Sequence, residues 1–349
     1  MWQMPAEAVP ARWHLKLMYL AVAAVAIYFT FHLVFQLDGV STVTSKAISS
    51  STQALSHAIH DIHSDLRNIY DELLPITASH FTTPNGTVYA LKNEPVFTKP
   101  LGKNLLILDV ESRPLDGAGK ILNRQPLNLD NAPYDTMSRL SHYMYARTHG
   151  YDYRLVQPAK SSLTGSYPKV PAIQDALHEY KFVVFMDGDT MFPFPHIPFE
   201  WLMNLWGVQN NTLIAMPEDV DAPWSYESHG NLILNAGFIV VQQSERAHEL
   251  MEAWATCPDE TRYPGCGEYR EKWPLEQWTF SNWVRRWGYP GALEGGGVCH
   301  GELMTHWTTA KDSTSAGVQK SVMQYVMREV HRQFHQEYDD VVLDERSGN

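Results

Sequence analysis

At positions 181–191 the chain reads KFVVFMDGDTM, an apolar run that drives straight into two aspartates separated by one glycine. Such a run, rich in β-branched and aromatic residues, predicts a buried parallel strand, and parallel strands deliver ligands at their carboxyl ends. Asp187 and Asp189 stand at that end. In extended backbone the side chains of residues i and i+2 point the same way, so both carboxylates can reach one hard cation, which can in turn hold a diphosphate. The pair alone is a weak signal, because at average aspartate usage it arises by chance about once in a chain this long. A second pair, Asp219 and Asp221 in MPEDVDAPW, lies between two prolines without a long apolar lead-in and reads as loop.

A chain of 349 residues can hold one large domain or two small ones, and 44% hydrophobic with 19% charged residues is the composition of a folded protein. A net charge of −12 without clustered Lys and Arg argues against nucleic acid as a partner. Residues 17–35 are almost wholly apolar, interrupted only by Thr30 and His32 and preceded by Arg12 and Lys16. About 20 such residues span a bilayer core, whereas a cleaved signal peptide has roughly 7 to 15 and a small-residue cleavage site. The expectation is a signal anchor at 17–36, a cytoplasmic tail at 1–16 and everything beyond on the lumenal side, type II topology. Two sequons, at Asn85 and Asn210, suit a secretory lumen. Cys257, Cys266 and Cys299 all fall in that portion, where disulfides are permitted; Cys257 with Cys266 is the preferred pair, leaving Cys299 free.

Apolar residues recur at Ile48, Leu55, Ile59, Ile62, Leu66, Ile69 and Leu73, an a/d heptad seam. This predicts a helix over 46–74, ended by Pro75, that either pairs with a second copy or lies as a single amphipathic helix on the domain that follows. Residues up to Pro100 have linker composition, so 37–100 reads as a stem and 101–349 as the folded domain. There, strands at 104–109, 151–156 and 181–186 alternate with helices at 134–149, capped by Gly150, and 173–180. Residues 213–216 and 232–241 add strand candidates, and 245–254 a helix. The order implies an α/β fold with a mostly parallel sheet flanked by helices. The chain has no GxGxxG loop, P-loop, GxSxG elbow or HExxH.

Five segments in order, HYMYARTHGYDYRLV, YPKVPAIQDALHEYKFVVFMDGDTMF, LILNAGFIVVQQSERAHELMEAW, KWPLEQWTFSNWV and MTHWTTAK, closely resemble the galactosyl- and mannosyltransferase family of fungi and plants, glycosyltransferase family 34. The match runs from about residue 104 to 311. The resemblance implies a GT-A fold, a Golgi type II enzyme, a nucleotide-sugar donor, a glycan acceptor, Mn²⁺, and transfer of a hexose, galactose or mannose, with retention of configuration. Asp187 and Asp189 match the family's DxD pair, and His306 its C-terminal histidine, which completes the metal site. Lys311 resembles a lysine that lies against the diphosphate in related enzymes, and Lys169 the lysine preceding the DxD strand. Glu276 and Gln277 match an acidic-Gln pair near the reacting sugar, and Asn235, Ala236 and Gly237 the family's NAG turn. The chain departs from the family at Trp307, Thr309 and Ala310, where phenylalanine, glycine and cysteine are usual, and at Thr190.

These residue types suit glycosyl transfer, in which negative charge develops on the departing phosphates; a divalent cation and a positioned lysine stabilise it. Two carboxylates, an imidazole and phosphate oxygens form a donor set that Mn²⁺ accepts. His300 and His229 rival His306 as the third ligand. Glu276 and Gln277 follow Pro274 and would otherwise read as a helix start. Gln277 is a poor nucleophile and would instead stabilise a positive sugar, whereas Glu276 could form a covalent intermediate. Of the tryptophans most read as core, and Trp224 in APWSYESHG is the acceptor-site candidate. A noncatalytic glycan-binding or scaffolding protein and a nucleotide-sugar hydrolase are the alternatives.

Overall fold

The computed structural model describes residues 73–159, 165–285, 303–307 and 310–336. The apolar segment at 17–36, nearly all of the heptad helix, Cys299 and His300 lie outside them. Among the described residues no helix is long and apolar enough to cross a membrane. In chain order the elements are β1 (His80–Thr82), β2 (Val88–Ala90), β3 (Leu105–Val110), α1 (Tyr134–His149), β4 (Asp152–Val156), α2 (Lys169–Ala176) and β5 (Phe182–Met186). There follow β6 (Thr190–Met191), α3 (Phe199–Leu205), β7 (Ile214–Ala215), β8 (Phe238–Gln242), α4 (Glu245–Ala255), α5 (Leu275–Thr279), β9 (Thr305–His306) and α6 (Ser313–Gln336).

The central sheet runs β4-β3-β5-β8-β7. β3 pairs in parallel with β4 and β5, while β8 runs antiparallel to both β5 and β7. Four strands therefore share one direction and β8 alone is reversed, so two of the four pairings are parallel and two antiparallel, and the sheet is mixed where a mostly parallel one was expected. The reversal follows from the Asn235-Ala236-Gly237 turn, which enters β8 beside the exit of β5, where the Asp187 N–H donates to the Gly237 carbonyl at 2.8 Å. Residues 232–234, read as strand, form only isolated bridges, Tyr226 to Leu232 and Glu218 to Leu234.

The period-2 alternation of the strands sorts their side chains into two cores. Leu106, Leu108, Val183, Phe185, Ile239 and Val241 face one side, packed with α2 and α4 through Ile173, Leu250 and Trp254. Leu105, Ile107, Phe182, Val184, Met186, Phe238 and Val240 face the other, packed with α1 and α3 through Tyr145, Phe199 and Trp201. Gly150, at φ 77°, closes α1 as its left-handed cap, and Ser244 caps α4 by accepting the Ala247 N–H. α2 begins at Lys169, four residues ahead of the expected start.

One further expectation is corrected. The stretch before Pro100 is no open linker: β1 and β2 form a hairpin, and Phe81 and Phe97 are buried in the second core beside Trp201 and Phe182. Its prolines and glycine shape a turn, while its two phenylalanines supply the burial that composition alone does not weigh. The 24-residue helix α6 was not read from the sequence. Gly317 lets it close on Trp307, whose ring would stand 2.5 Å from a Cβ there.

Cys257 and Cys266 are joined, with Cα atoms 5.7 Å apart, as the spacing predicts. Beside this loop the Trp254 indole, fully buried, donates to the Glu276 carbonyl at 3.0 Å and so fixes α5 to the core. Trp254→Ala is expected to lower unfolding free energy by about 3–5 kcal/mol, measured by urea denaturation.

Candidate functional site

The strand order reverses about β3, from which the chain passes first to β4 on one side and then to β5 on the other. At such a switch point a crevice opens outside the carboxyl ends of the strands. A cavity of about 450 Å³ lies there. Its lining includes Glu111 and Arg113 after β3, Tyr134 and Arg139 on α1, Lys169 on α2, Asp187 to Asp189 after β5, and Lys311.

Asp187, Asp189 and His306 each offer a ligand atom within 4.8 Å of the others, and these are the residues expected from the sequence to hold the metal. The third arrives through a two-residue pairing of β6 with β9, in which Thr190 lies opposite His306. The Trp307 N–H donates to the Asp189 carbonyl at 3.0 Å, and His306 Nε2 stands 3.1 Å from Asp189 Oδ1. Lys311 Nζ pairs with Asp189 Oδ2 and lies over the Tyr134 ring. Burial alone would raise the Asp189 carboxyl, yet His306 and Lys311 outweigh it and hold the group at about 2. Two carboxylates and an imidazole within reach of one point fit a divalent cation of hard or borderline character. His229 is not in this group; it donates to Glu227 on an exposed loop.

Lys169 is 3% exposed, and its ammonium donates to Asp187 Oδ1 and the Ala236 carbonyl, both at 2.9 Å, with Glu276 Oε1 at 3.1 Å. Burial would discharge it, but Asp187 and Glu276 raise it above the ordinary lysine range. Glu276 is itself buried and accepts from Ser166. Gln277 is tied at both ends of its amide: Oε1 accepts the Ala236 N–H at 3.0 Å and Nε2 donates to Asp219. Asn235 closes the turn through the Gly237 N–H at 2.8 Å and reaches Asp219 through Nδ2 at 3.3 Å. Leu275, directly before Glu276, has φ 56°, a left-handed conformation uncommon for a bulky side chain.

The structure thus gathers Asp187, Asp189, His306, Lys311, Lys169, Asn235, Ala236, Gly237, Glu276 and Gln277 into one contiguous cluster. Trp224 stays outside it, 63% exposed on the loop whose base is Asp219. Asp219 is the residue sequence reading set aside: no apolar run precedes it, and only the fold brings it to Gln277. Arg139, buried between Glu111 at 2.8 Å and Asp135 at 3.1 Å, also went unread. Its guanidinium would stand 2.8 Å from a Cβ on Gly188, so a side chain between the two aspartates would have to displace it.

No protein-family model matches the chain, and no curated protein matches it. Among solved structures it is similar to a glycosyltransferase involved in the glycosylation of the major capsid of PBCV-1, at 15% identity over 62% of this chain and 98% of that one, with a TM-score of 0.39. It is also similar to the glycosyltransferase GlyE of Streptococcus pneumoniae TIGR4, at 13% identity over 66% of this chain and 64% of that one, with a TM-score of 0.36.

Two outcomes follow from the geometry. A Cβ at Gly237 would lie 2.3 Å from His306 Cε1, so Gly237→Ala is expected to displace the imidazole and weaken any divalent-cation binding at this group by about tenfold or more, measured by titration with a divalent metal ion. Burial would raise Glu111, but Arg113 and Arg139 outweigh it and lower its carboxyl from 4.5 to about 2. A depressed carboxyl contributes stability that is present above pH 4.5 and lost as pH falls toward 2. Glu111→Gln is expected to flatten that part of a denaturation midpoint against pH curve.

Proposed function

We propose that this protein is a metal-dependent glycosyltransferase that moves a hexose, galactose or mannose, from a nucleotide-sugar to a glycan with retention of configuration. The carrying observation is the convergence of His306 on Asp187 and Asp189, which with Lys311 line the switch-point cavity. The five ordered sequence segments support a GT-A enzyme of glycosyltransferase family 34. The apolar segment at 17–36 and the two sequons support a type II Golgi protein with a lumenal catalytic domain, and the heptad seam a stem able to pair with a second copy.

In this reading the cavity takes the nucleoside diphosphate. Tyr134 presents an aromatic ring, while Arg113 and Lys311 present positive charge. Asp187, Asp189 and His306 would hold the cation, Mn²⁺ by its tolerance of such a donor set, and it supplies Lewis-acid stabilisation of the departing diphosphate. The Lys311 side chain is 45% exposed, so it can turn from Asp189 toward a phosphate without losing a buried position. Lys169 holds Asp187 in place and stays out of the chemistry. The sugar-phosphate bond breaks, the acceptor oxygen bonds to the anomeric carbon from the same face, and its proton passes to the leaving phosphate oxygen.

Front-face attack is favoured over a covalent intermediate by the state of Glu276. Its carboxylate is buried and spent on Lys169 and Ser166, so it presents no free oxygen to a sugar. Gln277, clamped by Ala236 and Asp219, presents a fixed amide dipole and no nucleophile. Trp224 and its loop lie on the Asp219 side and offer an exposed aromatic face to a glycan.

The test is nucleotide release from UDP- and GDP-hexoses with Mn²⁺, with and without oligosaccharides. Acceptor-dependent release that falls roughly a hundredfold to a thousandfold in Asp189→Ala supports the transferase. Acceptor-independent release identifies a nucleotide-sugar hydrolase, and no release beside thermal stabilisation by a glycan identifies a scaffold.

A further inference from the structure

Helix α1 carries a stripe that amphipathic logic does not explain. Asp135, Ser138, Arg139 and His142 follow one another at helical spacing, on one face, and all four are buried. A core-facing stripe is ordinarily apolar, and buried polar groups persist only where they are satisfied. Here the stripe is turned toward the turn that carries Asp187 and Asp189. Arg139 walls Gly188, and the Ser138 hydroxyl donates to the Thr190 carbonyl at 2.7 Å. His142 Nε2 stands 2.9 Å from that same carbonyl and 3.2 Å from the Thr190 hydroxyl. Its other nitrogen, Nδ1, lies 3.1 Å from both oxygens of Asp109, which also accepts the Tyr153 hydroxyl at 2.8 Å. Asp109, Ser138, His142 and Thr190 are all fully buried.

Thr190 is the joint on which both halves of the metal group turn. Its backbone N–H and its hydroxyl both donate to the Asp187 carbonyl, at 3.1 and 2.8 Å, closing the Asp187 to Thr190 turn on itself. The same residue pairs across β6 and β9 with His306. Whatever fixes Thr190 therefore fixes the spacing of the two carboxylates and the approach of the imidazole together.

We propose that His142, oriented by Asp109, is a positioning residue for the metal group: through Thr190 it sets the geometry of Asp187, Asp189 and His306 without touching the ion. This rests on the metal-dependent reading above. It assigns a role to three residues outside the cluster, Asp109, Ser138 and His142, and gives Thr190 a reason to be threonine. Valine would fill the same space without the hydroxyl that joins His142 to Asp187.

The experiment is Mn²⁺ titration of the purified full chain, followed by the electron paramagnetic resonance of the free ion, beside thermal unfolding by circular dichroism. His142→Gln and Thr190→Val are expected to weaken Mn²⁺ binding by about tenfold or more, the usual effect of removing a group that orients metal ligands. Thr190→Ser, which restores the hydroxyl, is expected to bind as wild type does. Tyr145→Phe, which removes a buried hydrogen bond from the same helix to the Ile197 carbonyl, is expected to leave binding unchanged whatever it does to unfolding. If His142→Gln does not fold, the comparison of Thr190→Val with Thr190→Ser decides alone. Folded variants that bind as wild type does overturn this proposal and leave the transferase standing, and so does weakening of equal size in Tyr145→Phe. A wild-type chain that binds no Mn²⁺ removes the metal reading and this proposal with it.

Discussion

The ammonium of Lys169 is the interaction on which the site's architecture depends. A lysine 3% exposed cannot stay charged without partners, and each partner it finds belongs to a different part of the chain: Asp187 after β5, the Ala236 carbonyl ahead of β8, and Glu276 on α5. The dependence is mutual, because Glu276 is buried as deeply, and removing one member of such a group leaves an uncompensated charge at a cost of about 3–5 kcal/mol. Pairing is most complete only when the carboxyl end of β5, the turn into β8 and the start of α5 stand together. The hydrophobic cores on the two faces of the sheet bring these segments near one another without direction, and the charge group then selects one arrangement.

That division of labour also sorts the two aspartates. Asp187 faces a cation the fold has locked in place. Asp189 faces His306 and Lys311, on chain that pairs β9 with β6 and then packs α6 on α1 through Val318 and Met137. One carboxylate pairs with a buried ammonium, and the other, itself the more buried, with an imidazole and a half-exposed ammonium.

Much of this was legible in the sequence, and what was not has common causes. The strands were readable because a buried strand needs an unbroken apolar run, and Asp187 with Asp189 because extended backbone puts i and i+2 on one side. His306, Lys311, Lys169, Glu276 and Gln277 came from the order of segments, and the structure brings all five together. Asp219 was dismissed for want of an apolar lead-in, yet its position comes from the Pro217 to Ile233 loop folding back: its N–H meets the Ile233 carbonyl at 2.9 Å, and Asn235 donates to Pro217 at 2.8 Å. Such contacts leave no local pattern. Composition misled at the hairpin of β1 and β2, where Pro84 and Gly86 marked a turn while Phe81 carried the burial.

The buried stripe of α1 is the hardest of these to read and the most instructive. Periodicity assigns polar residues on a helix to water, so Asp135, Ser138, Arg139 and His142 look like a solvated face when they are an inward one. Burial alone does not require polar groups there, since replacing a satisfied buried polar group by a well-fitted hydrophobic one is often neutral or favourable. Stability alone therefore does not account for the stripe. A hydrophobic contact is satisfied by any arrangement that excludes water, whereas a hydrogen bond weakens steeply as its angle departs from linearity. A turn that must hold two carboxylates toward one point requires direction, and direction is what Ser138 and His142 impose on the Thr190 carbonyl.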